Sequence, residues 1–421
     1  NLRRGTTLTA VPTDLTGLSQ GFLPRFSSGR HDDARHSPRG GWRGVDEVMD
    51  DLEPFVKQVL GTIPRSDQRR WADFYVRGLL MTPGRKTVTR IVQTLAAPPA
   101  DQSLQQFINQ SPWDWQPVRR DLAGTMHQLI GPEAWVVQPA FFLKSGDRSV
   151  AVTRQFVPPL AKLVNCQAAM SLWLAGHEWG VPVDWRLVLP ASWANDAERR
   201  AEVGIPENAS AEEQWECAVE LVTGAAQRLD IPARPVVLDL RSARPGGALR
   251  RLQERGIRFL ARVDATSLTW PGPRLDPGTR GGSSAALLPL TMAAVRPDGL
   301  LEATHWGPPY PVPPPGRRAV VPDGPQHRRP VRPLLVMVER SDSDAPAAAL
   351  WVTNLTETPA ADLVRLMALG RRTQVDSERL GQLGLTDFEG RSYRGWHHHV
   401  TLVSTADAYG VARSAALRRA G

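Results

Sequence analysis

Between Phe388 and Leu402 the chain gathers residue types that handle phosphate and aromatic surface. Arg391 and Arg394 each offer a planar guanidinium fork, which matches phosphate oxygens. Tyr393 and Trp396 add flat apolar faces with a polar tip. His397, His398 and His399 follow without a break. Consecutive helical positions point about 100° apart, so three neighbours serve one zinc ion poorly. The stretch therefore reads as a polar edge presented to a polyanion, with Arg391, Arg394, Trp396 and His397 as contacts. The bland alternative is a helix start with an exposed basic rim. Other chemistry is sparse. The sequence has no P-loop, and His177-Glu178 lacks the second histidine of a zinc-protease helix.

Composition narrows the class. The 421 residues carry a net charge of +8 and a pI near 10.1, a balance that favours a polyanionic partner. Cys166 and Cys217 are the only cysteines, too few for a zinc framework or a disulfide scaffold. No apolar run approaches the ~20 residues of a membrane helix. The N-terminus shows no apolar signal core, so a cytoplasmic, nucleoid-associated location is expected.

The elements that must hold these residues fall in blocks. Residues 1–42 lack periodicity and read as an extended basic arm. Residues 43–132 read as a helical, DNA-binding domain. Val45, Val48, Met49, Leu52, Phe55, Val56 and Val59 recur at helical spacing. Ser66 is placed to cap a second helix. A third helix through Val88, Ile91 and Val92 has a basic start in Arg85, Lys86 and Arg90, a pattern that suits a DNA groove. From residue 133 strands are expected at Ala134–Leu143, Ser149–Thr153, Gln167–Leu174 and Val183–Leu189, an antiparallel set. Ser210 with Glu213 spells a capping box. A buried strand at Pro235–Leu240, a helix over 246–255 and a strand at Ile257–Val263 follow. Residues 270–332 concentrate proline and glycine and read as an insertion with two short strands. Strands at Leu334–Glu339 and Leu350–Thr353 then precede a helix from about Pro359. Residues 411–421 read as a basic tail.

The Glu389–His397 block resembles the end of the catalytic domain in insertion-sequence transposases of the DDE class. Similar blocks occur upstream, at Gln68–Ala72, Pro190–Ala194 and Trp351–Leu355. The resemblance spans roughly residues 45–405. It implies an α/β fold with a ribonuclease-H-like mixed sheet and flanking helices, built from 133–269 and 333–410. The order of strands first, then strand–helix alternation, fits that core. The resemblance also implies double-stranded DNA as partner, a homodimer, and two divalent ions ~3.5–4 Å apart held by carboxylates.

The acids of the resemblance are where this sequence departs from it. On the first strand Gln138 and Pro139 stand at the two aspartate positions, with Lys144 and Gly146 in register. On the fourth strand the acid position falls on Asp239 or Leu240, depending on which end is counted, and Arg241 follows. On the late helix Gln374, or Thr373 within one residue, replaces the glutamate, and Gly370 replaces a supporting arginine. Asp376 and Glu378 lie nearby and are expected on other helix faces. At most one of three metal-binding acids remains. The resulting expectation is a transposase-derived DNA-binding protein acting in gene regulation, without strand cleavage and without a cofactor. One alternative is an active enzyme using magnesium or manganese through a relocated set, Asp147, Asp239 and Glu378. The other is a protein-interaction scaffold served by the proline-rich insertion.

Overall fold

In a computed structural model, the structure describes residues 43–97, 100–241, 245–263, 290–295, 301–304, 334–339 and 349–420. The expected basic arm, and most of the expected insertion, lie outside the described residues. Val48–Gly421 forms one compact unit.

Five helices come first: α1 (Arg43–Leu60), α2 (Ser66–Met81), α3 (Val88–Thr94), α4 (Asp101–Gln110) and α5 (Trp115–Ile130). Ser66 is the first helical residue of α2, not its cap; Arg65 holds that position without a side-chain bond. Thr87 does cap α3, accepting from the Arg90 amide. α4 has a weak sequence signal because its buried face is only Leu104, Phe107 and Ile108 in a glutamine-rich stretch.

The strands β1 (Ala134–Leu143), β2 (Thr153–Val157), β3 (Lys162–Ala175) and β4 (Gly180–Leu187) form an antiparallel set. Residues 149–152 lead into β2 and are not themselves a strand. The short helices α6 (Ala191–Ala194) and α7 (Ala197–Val203) precede α8 (Gln214–Val222) and α9 (Ala225–Leu229). The capping box of α8 is Glu213 with Glu216, so the Ser210 expectation fails by one turn. β5 (Val236–Asp239), α10 (Pro245–Glu254) and β6 (Phe259–Val263) add parallel strands beside β1. β7 (Leu290–Val295), β8 (Leu301–Thr304), β9 (Leu334–Glu339) and β10 (Ala349–Thr353) extend the sheet to the order β2-β3-β1-β5-β6-β10-β9-β7-β8, with β4 also paired to β3. This mixed sheet with flanking helices is consistent with the ribonuclease-H-like fold. No described helix is long and apolar enough to cross a membrane.

α11 (Ala360–Gln382) lies on β1, β4 and β5, and α12 (Tyr393–Ala420) on β4, α2, α4 and α5. α12 absorbs the expected basic tail. Its Arg419 donates to the Leu129 carbonyl, and its Arg418 sits over Trp179 and pairs with Glu178. Every residue from Gly395 to Tyr409 is buried. A helix buried all round satisfies most of its polar side chains internally, although Trp396 Nε1 and His397 Nε2 have no hydrogen-bond partner among the described residues. Thr401, Ser404 and Thr405 each donate to a carbonyl one turn back. Asp407 takes a two-point contact from Arg379. Arg119 of α5 is fully buried. Its guanidinium donates to Asp184 Oδ1 and the Trp185 carbonyl at 2.9 Å, while Arg228 pairs with Asp184 Oδ2. Removing one partner of such a buried pair costs about 3–5 kcal/mol.

The three histidines belong to this core. His399 lies between the Tyr75 hydroxyl at 2.9 Å and the Leu385 carbonyl at 3.0 Å. A neutral ring protonated on Nε2 satisfies both. Both ring nitrogens of His398 face carbonyls, those of Ile108 and Trp113. Only a protonated ring donates to both, which offsets part of its desolvation. Burial nevertheless holds His398 and His399 down to about 4. Burial also holds His397 well below the usual imidazole range, helped by the Arg119 charge. Folded pKa values below the unfolded ~6.5 contribute stability that is present above pH 6.5 and lost as pH falls toward 4. Burial pushes Asp407 up to about 6. That acts in the opposite sense, as does Asp121, which burial also raises, but four histidines, His127 included, stand against these two carboxyls. Denaturant midpoints should therefore drop between pH 7 and pH 5. His399→Gln should remove about one proton from that slope, about 1.4 kcal/mol per pH unit. A midpoint independent of pH over this range would contradict the neutral, buried assignment.

Candidate functional site

The sheet topology decides which residues meet. β1 and β5 are parallel neighbours with Val137 opposite Leu238. Gln138 and Asp239 therefore stand side by side at the next position. Alternation along a strand sends Pro139 and Leu240 to the opposite face. Leu240 is fully buried in the core, and Pro139 pairs with Met170. α11 crosses over the Gln138–Asp239 face. Gly370 lets it come close: a Cβ there would lie 2.9 Å from Val237 Cγ1. The approach brings Gln374 to Asp239, with Nε2 donating to Oδ2 at 2.9 Å. Thr373 turns inward instead. Its hydroxyl donates to the Gly370 carbonyl, and its own carbonyl accepts from Gln138 Nε2 at 3.0 Å. Of the paired alternatives in the sequence, Asp239 and Gln374 face one another with Gln138 beside them, whereas Leu240 is turned away and Thr373 contributes only its carbonyl.

Asp239 is fully engaged. Oδ1 accepts from Arg241 Nε at 2.9 Å and from the Arg241 amide at 3.2 Å. Oδ2 accepts from Arg241 Nη2 at 2.6 Å and from Gln374. Four donors thus fill the roughly four acceptor sites of a carboxylate, and the guanidinium balances its charge. The space between Gln138, Asp239, Gln374, Arg262, Trp351 and Gly370 is about 10 Å³, the lower limit for one water. Two divalent ions ~3.5–4 Å apart, each wanting charged oxygen ligands, do not fit this arrangement. One carboxylate is saturated, and two neighbours are amides whose NH2 groups point inward.

The relocated acids do not assemble. Asp147 is exposed in the connection after β1. β1 runs five residues past Gln138, roughly 16 Å, before that connection begins. Asp376 is committed to the fold. It accepts from the Gly180 amide and from Arg379 Nη1, both at 3.0 Å. Glu378 sits one helical turn beyond Gln374, hence on the same side of α11 and not on another face, and it is exposed. Among the described residues no three His, Cys, Asp or Glu side chains cluster as a metal site.

The expected DNA contacts divide. Trp396 and His397 are corrections: they are 1% and 4% exposed. Trp396 packs edge-on against Phe142 and Trp185, and His397 stacks on Trp115 at 4.4 Å. Lys86 is also a correction. It is buried, with Nζ donating to the Thr82 carbonyl and its amide donating to Asp387. Lys144 is likewise turned inward, to the Phe388 carbonyl at 2.7 Å. Arg85, Arg90, Arg391 and Arg394 are exposed. Arg391 makes no side-chain hydrogen bond or ion pair among the described residues. Arg394 reaches the Gln110 carbonyl at 3.4 Å, and Arg85 pairs with Glu389 at 3.4 Å. The two basic regions expected apart therefore meet where α4 and the segment before α12 come together. Sequence reasoning missed the buried Arg119–Asp184–Arg228 network. Nothing in a lone arginine on a helix distinguishes it from a surface one.

No curated protein matches this sequence. Residues 58–305 match the family described as DDE superfamily endonuclease. That stretch includes the β1 and β5 positions just described and covers more than half of the chain. The chain belongs to the DDE superfamily of endonucleases, whose substrate is DNA.

Proposed function

We propose that this protein holds duplex DNA on its arginine face and does not cut it, acting on DNA as a regulator. The observation that carries this reading is the saturated carboxylate of Asp239, whose four acceptor sites are taken by Arg241 and Gln374. A cleavage centre of this superfamily needs carboxylate oxygens free for metal. Here the three positions at the junction of β1, β5 and α11 supply two amides and one neutralised acid. The exposed Arg85, Arg90, Arg391 and Arg394 supply what phosphate binding needs.

Two measurements test this reading. Arg391→Ala/Arg394→Ala should weaken binding to duplexes of any sequence and lower the salt slope by about two, one for each phosphate no longer neutralised. Both side chains are exposed, so the melting temperature should stay nearly unchanged. EDTA should leave wild-type binding as it is. An early-melting variant with normal DNA affinity would instead make these arginines part of the fold. The second measurement is calorimetry with manganese. The wild type should show no binding, whereas Gln138→Asp/Arg241→Gly/Gln374→Glu should acquire it, because three free carboxylates then face one another. Manganese binding by the wild type that is lost in Asp239→Asn would overturn the reading.

A further inference from the structure

Six large hydrophobic side chains are exposed among the described residues, and four of them, Leu143, Phe156, Leu160 and Leu163, sit on or at the foot of the β2–β3 hairpin. Such a concentration calls for a partner. The hairpin also overhangs the sheet. Pairing of β3 with β1 ends at Leu143–Cys166, and pairing with β4 ends at Ala169–Leu187. The Lys144 amide still donates to the Asn165 carbonyl, but Lys162 to Val164 are laddered to β2 alone, so a two-stranded ribbon projects roughly 10 Å, three residues, beyond its neighbours. Phe156 lies directly opposite Leu163, and Arg154 opposite Asn165. Directly opposed residues and their i+2 neighbours share a face, so Arg154, Phe156 and Leu163 stand together. Leu160 is exposed in the turn, where Ala161 adopts φ +49°.

Charge identifies the occupant. From Lys144 to Asn165 the sequence holds Lys144, Arg148, Arg154 and Lys162 against Asp147 alone, and Arg148, Arg154 and Lys162 are exposed. An apolar patch framed by cations fits a polyanion with apolar surface inside it, which is the stacked bases of DNA between its phosphates. The root of the ribbon is fastened to the arginine face. The Val150 amide donates to the Arg391 carbonyl at 3.0 Å, and Lys144 donates to the Phe388 carbonyl. Two-stranded ribbons enter the major or the minor groove of DNA, and apolar side chains driven between base steps from the minor groove unstack and kink the duplex. The geometry points to the β2–β3 ribbon as an apolar wedge: Phe156, Leu160 and Leu163 enter a groove of duplex DNA held by the neighbouring arginines. This inference rests on the DNA-binding reading above.

The test uses the full chain and Phe156→Ser/Leu160→Ser/Leu163→Ser, in which exposed apolar groups become polar without disturbing the core. The probes are mixed-sequence duplexes with 2-aminopurine at successive positions, and duplexes with a dye pair at their ends. The wild type should raise 2-aminopurine fluorescence and bring the ends closer. The variant should lose both signals and bind about 5-fold or more weakly, with its salt slope unchanged. Arg391→Ala/Arg394→Ala should show the reverse, a flatter salt slope with the fluorescence rise retained at saturation. If the wedge variant binds and unstacks DNA like the wild type, the wedge is wrong and the arginine reading stands. A wild-type dimer by light scattering that the variant turns to monomer, at unchanged DNA affinity, would make the ribbon a self-association surface and overturn the wedge. Absence of DNA binding by every chain would remove the DNA reading and the wedge together.

Discussion

The burial of α12 constrains everything around it. Fifteen consecutive residues, Gly395 to Tyr409, are buried, and several carry polar side chains that are costly to bury unpaired. Their partners come from five surrounding elements: Tyr75 of α2, Ile108 of α4, Arg119 of α5, Trp185 of β4 and Arg379 of α11. The helix thereby fixes the N-terminal helices against the sheet, and one apolar core runs through both. It also fixes which part of the conspicuous 388–402 stretch reaches the surface. The histidines and Trp396 are spent on packing, and Arg391 and Arg394, at its solvent end, stay exposed.

The same packing positions the second centre. α11 is held by Asp376 at the Gly180 amide and by Arg379 at Asp407. It descends onto β5 at Gly370, where a side chain would strike Val237. Gln374 is carried to Asp239 as a consequence. The three side chains that meet, from the middle of β1, the end of β5 and the interior of α11, are an amide, a guanidinium-locked carboxylate and another amide. A bidentate arginine–carboxylate pair is among the stronger charge-assisted contacts. Arg241 supplies the positive charge beside Asp239.

Much of the sheet is legible in the sequence because strand signals are local. Ala134–Leu143 and Leu334–Glu339 have the same bounds in sequence and structure, since continuous apolar runs between breakers admit few alternatives. The strand over Thr153–Val157 lies four residues later than its sequence signal. Its alternation in the ribbon is between half-buried and exposed positions rather than core-facing, so the apolar pattern around Val150 and Val152 dominates. The register at Asp239 or Leu240 cannot be decided from spacing, because one residue changes the face and only the pairing with β1 and β6 sets it. The histidine run misleads for a different reason. A wholly buried helix has no polar face to betray its orientation, and histidine reads as polar until its partners are known. Lys86 shows the same limit: a lysine at a helix start reads as surface, and here its partners lie in the loop before α3 and near residue 387.

The central claim, a DDE scaffold that grips DNA and does not cut it, is tested most directly by strand cleavage. Supercoiled plasmid carrying candidate inverted repeats, incubated with the full chain in magnesium or manganese, should give no more nicked or linear product than it does with Asp239→Ala. Robust metal-dependent nicking by the wild type that disappears in Asp239→Ala would contradict the account.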